Sequence, residues 1–200
     1  MLTVLVPGVT ALLACATFLA VAHGDERLSP REHTGAQFGS ALVAVAATFA
    51  VLFRGPRDYP QIEILVGALV VSAWTDLRLG LILDRVTVPA LLSVVTFCAL
   101  EGTTIASLLG ILGSAGVVVA LHAITRGRGI GLGDAKLAAV IGACLGVYGG
   151  GLALASAFVI AALVNSALLL MHRVKMGDRV PFGPYLAWGS VVAIALGAAQ

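Results

Sequence analysis

Ten of the 200 residues are Asp or Glu, and four of them, Asp76, Asp84, Asp134 and Asp178, sit where an apolar run meets a short polar break. A carboxyl there has three kinds of chemistry open to it. It can cap a helix through backbone N–H groups, carry a proton or ion through apolar surroundings, or meet the backbone of a substrate. Asp76 directly follows EILVGALVVSAWT, and Asp134 closes RGRGIGLGD ahead of AKLAAVIGACLG. Gly127, Gly129, Gly131 and Gly133 leave every second position before Asp134 without a side chain, so another backbone can approach closely. The same loop has no GK[ST] ending and follows no strand pattern, which argues against a phosphate cradle. On position alone, capping and chemistry stand about level at Asp134. The remaining acids, Asp25, Glu26, Glu32, Asp58, Glu63 and Glu101, are read as solvated loop or helix-end charge.

Other chemistries find little support. The histidines, His23, His33, His122 and His172, are scattered without a serine or cysteine nucleophile arranged near them. His122 stands near the end of an apolar helix just before the glycine-rich loop, where a hydrogen-bonded role is expected. Cys15, Cys98 and Cys144 fall inside apolar stretches with no CxxC spacing, so they are expected to pack. No metal and no cofactor is expected. The net charge of +2, without a basic run, sets nucleic acid aside as a partner.

The elements that must position these acids are membrane helices. The chain is 60% hydrophobic and 11% charged, and a spanning helix needs about 20 mostly apolar residues. Eight apolar stretches follow, at about 2–22, 37–53, 61–75, 86–100, 104–124, 134–148, 151–171 and 184–199. The expected fold is an all-α, polytopic transmembrane bundle of about eight helices forming one integral membrane domain over 1–200, in contact with lipid. Alternate loops divide the basic residues unevenly. Arg27, Arg31, Arg78, Arg85, Arg126, Arg128, Lys136, Arg173, Lys175 and Arg179 lie on one side, against Arg54 and Arg57 on the other. The positive-inside rule assigns the richer side, with all four candidate acids, to the cytoplasm and both termini to the outside.

At this point a resemblance enters. Gly131-Leu132-Gly133-Asp134-Ala135-Lys136-Leu137 resembles the GxGDxKL signature of type IV prepilin peptidases. Upstream, Asp76 stands eight residues before Asp84, and Val86-Thr87-Val88-Pro89 follows, which is similar to the family's Asp segment with its PD or PN pair and LTLP; Leu83 replaces the usual Pro. Downstream, Pro181-Phe182-Gly183-Pro184-Tyr185-Leu186-Ala187 is similar to PFGPFLA. The three segments keep the family's order over 70–190, and the implied peptidase core is about 61–199.

The resemblance implies that Asp76 and Asp134 are catalytic aspartates sharing one proton, since like charges a few ångströms apart do not both ionise easily. Gly131, Gly133, Lys136 and Asp84 fall on motif positions that imply substrate positioning. On the residues alone, Lys136 reads as a snorkelling lysine and Asp84 as an orienting or helix-starting residue. The implied partners are pilin-like or preflagellin-like precursors with a hydrophobic N-terminal helix, cut at the cytoplasmic face of the inner membrane to remove a short basic leader. Many members carry a CxxC-bearing zinc domain between the first two helices, associated with N-methylation; here that interval is the short loop after His23, so peptidase activity without methyl transfer is expected. Three readings compete. A small ion- or proton-coupled transporter subunit would place acids near helix midpoints, a presenilin-like protease would pair GxGD with a YD motif that is absent, and an inactive assembly partner would not need both aspartates.

Overall fold

The computed structural model describes residues 60–127, 129–172 and 180–197. The apolar stretches expected at 2–22 and 37–53 lie outside the described residues, as do Asp178, Cys15, His23, His33 and eight of the twelve basic residues. Among the described residues the protein is all-helical, with five helices: α1 (Pro60–Leu79), α2 (Asp84–Leu100), α3 (Thr104–Ile124), α4 (Leu132–Leu170) and α5 (Gly183–Ala195).

Local chemistry accounts for the helix ends. α1 opens on Pro60, whose missing N–H is no loss in a first turn, and carries Glu63 in its first turn and Arg78 in its last, each opposing the helix dipole. Gly80, at φ 63°, closes it by donating its N–H to the Asp76 carbonyl at 2.9 Å. Asp84 is the first residue of α2, two positions earlier than the apolar pattern suggests. Pro184 lies in the first turn of α5, as expected.

The two stretches expected at 134–148 and 151–171 together make up α4, whose 39 residues are divided by a sharp break. Inside it Gly146 has φ 68° and ψ −170°, a conformation essentially confined to glycine. In a continuous helix residues eight apart are separated by about 12 Å. A Cβ placed on Gly150 would instead lie 3.1 Å from the Gly142 Cα. The chain therefore folds back at Gly146, and 132–145 runs closely against 147–170.

α4 packs against each of the other four helices. Leu137, Val140, Ile141 and Leu145 from its first half are fully buried at the centre of the core. Gly110 and Ser114 of α3 meet the backbones of Gly142 and Gly150, and Gly189 of α5 meets Ala153 and Ala157. Small residues at these crossings let backbones touch, the usual means of helix association in lipid. Outward faces are apolar, with Ile105, Leu112 and Leu163 exposed. Thr104–Ile124 is long and apolar enough to cross a membrane, and so is α4 by composition, with its longer arm at 147–170. Cys98 and Cys144 are buried in the core, and the Cys98 thiol donates to the Ala143 carbonyl at 3.7 Å, consistent with packing roles.

Candidate active site

One end of the bundle gathers the C-terminal turn of α1 and the N-termini of α2, α4 and α5. Asp76 lies in the last turn of α1 and is 8% exposed; Asp134 is 6% exposed. The α4 helix starts at Leu132 with Gly131 as its N-cap, so Asp134 is not the N-cap residue that its place before the apolar run suggests. It occupies the third helical position, and its Oδ2 reaches back to accept the Gly131 N–H at 2.9 Å. The reason is that the helix already starts at Leu132, which puts the carboxyl at the third position of the first turn, within reach of the amide ahead of the helix.

Asp76 is held in a matching way from the other side. Its Oδ2 accepts the Gly183 N–H at 2.7 Å, a bond spanning 107 residues. Gly183 is the first residue of α5, and its N–H is one of the donors that a helix start leaves unpaired. The two carboxyls lie within electrostatic range of one another. Among the described residues neither has a further hydrogen-bond partner, so one oxygen of each is left for water or for a substrate. Two such groups, one ionised and one protonated, can take a proton from water and return it to a leaving group.

The candidate positioning residues divide. Gly131 is at the site as the donor to Asp134. Gly133 is pressed against Ile82, where a Cβ would approach to 3.0 Å, so its bareness serves packing between the α1–α2 loop and α4. Lys136 and Asp84, read separately in the sequence, form an ion pair at 2.5 Å with both side chains largely exposed. Arg78, Arg85, Arg126 and Lys136, the basic residues among those described, lie in loops or helix ends on this side of the bundle.

Two features were not found in the sequence. The role of Gly183 is one, although the Pro181–Ala187 segment was singled out. The other is an apolar cleft of about 400 Å³ lined by Leu77, Ile160, Val164, Pro181, Pro184, Tyr185 and Trp188. Leu77 and Pro184, the chain neighbours of Asp76 and Gly183, line this cleft, which puts it at the same end of the bundle. Its polar element is the Tyr185 hydroxyl, which donates to Asn165 Oδ1 at 3.3 Å. Alternation and motif spacing carry no sign of either.

Residues 63–166, just over half of the chain, match the type IV leader peptidase family. The chain belongs to that family. The matched span contains both aspartates and the glycine-rich loop between α3 and α4. Relatives in the family include the prepilin leader peptidase/N-methyltransferase of Bacillus subtilis, 35% identical over 141 residues that make up 67% of this chain and 54% of that protein. The proteins of the same name from Burkholderia pseudomallei, 32% identical over 66% of this chain and 45% of the relative, and Pseudomonas putida, 32% identical over 78% and 50%, are similar. This leader peptidase family member thus spans about half the length of the curated relatives it matches. No solved structure gives a significant match.

Proposed function

We propose that this protein is an aspartic endopeptidase that removes the short basic leader of pilin-like precursors, with Asp76 and Asp134 as its catalytic pair. The observation that carries the reading is the pairing of these two buried carboxyls across the ends of α1 and α4, each tied by one oxygen to a backbone N–H. Like charges so placed share a single proton, leaving one group as base and the other as acid. The ionised carboxyl draws a proton from water as the water attacks the scissile carbonyl, while the protonated partner polarises the carbonyl oxygen. Collapse of the tetrahedral adduct breaks the C–N bond, and the leaving amine takes a proton from the pair.

The apolar cleft lined by Leu77, Pro184 and Trp188 suits the hydrophobic segment that follows the cut in such precursors. The four described basic residues on the same side support a cytoplasmic site in the inner membrane. Counting the two N-terminal stretches and both halves of α4 gives eight spans with the termini on the far side. The proposal is confined to peptide cleavage and assigns no methyl transfer. A transporter reading is disfavoured because both buried carboxyls lie in terminal helical turns.

The test is co-expression with a leader-bearing, pilin-like precursor, comparing wild type with Asp76→Asn and Asp134→Asn by the precursor's size shift. Loss of cleavage in both variants, each still present in the membrane at wild-type level, is the expected result. Continued cleavage by either variant would remove that residue from the mechanism.

A further inference from the structure

The geometry points to His122 as a positioning residue for Asp134, acting through the single peptide group that joins Ile130 to Gly131. His122 Nδ1 lies 2.7 Å from the Ile130 carbonyl oxygen. A carbonyl oxygen only accepts, so Nδ1 carries the hydrogen and the imidazole is the donor. The N–H of the same peptide group belongs to Gly131 and is the one that Asp134 Oδ2 accepts at 2.9 Å. His122, the peptide plane and Asp134 therefore form one chain of two hydrogen bonds running in the same sense, and each bond in such a chain polarises the next. Pulling on the carbonyl end makes the amide a better donor to the carboxyl, and holding the oxygen fixes the plane in which that amide points.

The loop is shaped around this contact. Gly127 turns back on the end of α3, its N–H donating to the His122 carbonyl at 2.9 Å. A Cβ on Gly127 would lie 3.1 Å from the imidazole Cε1, so the bare α-carbon makes room for the ring. Arg126 beside it holds φ 51°, an uncommon conformation for a residue with a side chain. Three of the loop's bare positions, 127, 129 and 131, are exposed, and the Ile130 side chain packs against the core. His122 is half-buried in the last turn of α3, so it ties the amide that orients Asp134 to that helix.

This inference rests on the catalytic reading of Asp134, and its test separates the two. Asn places an amide donor close to the position of Nδ1, and Leu has the same shape without the donor, so His122→Asn and His122→Leu differ in the hydrogen bond alone. Each is measured in two ways: kcat and KM for precursor cleavage, and hydrogen exchange at the Gly131 amide in the full-length protein in detergent. His122→Leu should lower kcat about 10-fold, as the loss of one oriented hydrogen bond predicts, with KM little changed, and should speed Gly131 exchange by a similar factor. His122→Asn should restore most of both. Equal losses in Asn and Leu, or unchanged Gly131 exchange in Leu, would overturn the tether. If the wild type cleaves no precursor, the catalytic reading fails, and the exchange comparison still decides whether His122 holds the peptide.

Discussion

Gly183→Ala adds one carbon beside Asp76, and its effect can be worked from the structure. The new Cβ would stand 2.9 Å from Asp76 Oδ2 and 3.1 Å from Asp76 Cβ. Comfortable contacts between such atoms are about 3.5 Å, so the carboxyl must retreat by roughly 0.5 Å. The same retreat stretches the Gly183 N–H bond from 2.7 Å to about 3.2 Å, the outer edge of useful geometry. Misplacement of a reacting group by 1 Å can lower the rate about 100-fold, so half that displacement predicts a loss of about 10-fold in kcat. The fold should survive, because Gly183 does not have a positive φ and alanine has the higher helix propensity, by up to about 1 kcal/mol. The assay is a time course of precursor cleavage by membranes normalised for protein level, with a thermal melt of the purified variant alongside. Cleavage at the wild-type rate by Gly183→Ala, while Asp76→Asn is dead, would refute the claim that this amide positions Asp76.

Other substitutions test the frame around the site. Gly146→Ala places a side chain in a glycine-only conformation and should destabilise the protein by about 1–3 kcal/mol, read as a lower melting temperature in detergent. Gly110→Ala would drive a Cβ into the Gly142 carbonyl, 2.8 Å from its carbon, against backbone that cannot yield; overpacking of this kind costs about 1–3 kcal/mol or more, checked by the same melt. Lys136→Asp or Asp84→Lys alone should lower stability by less than about 1 kcal/mol, because the pair is exposed. The double exchange should recover what either single change loses, measured as a coupling energy in a double-mutant cycle.

The legible parts of this protein were those carried by local pattern. The helix at 104–124 follows directly from an unbroken apolar run, and α2 differs from its expected start only because Asp84 and Arg85 are tolerated in a first turn. Asp76 and Asp134 stood out as acids at helix ends, and their motif context singled them out as a pair. His122 was expected to be hydrogen-bonded and is. Less legible were the relations that join residues far apart in sequence. Nothing in the spacing of Lys136 and Asp84 announces an ion pair across 52 residues, and a glycine at the head of α5 gives no sign that its amide holds a carboxyl 107 residues earlier. The apolar pattern puts the division of α4 between the stretches 134–148 and 151–171. The reversal is made instead at Gly146, while Gly142 and Gly150 serve close packing against Ser114.

That reversal bears on how the chain enters a bilayer. A loop that crosses a membrane ordinarily brings polar residues that hold it on the far side; here Val147 and Tyr148 stand exposed at the tip, a greasy residue and one with an affinity for the headgroup layer. The tip offers little water-soluble surface to anchor a lone first half, and 132–145 at about 1.5 Å per residue is only some 21 Å long, so its crossing relies on locally thinned lipid. The segment that begins with Asp134 is therefore best inserted together with its sequel, as a preassembled wedge whose depth is set by the longer arm.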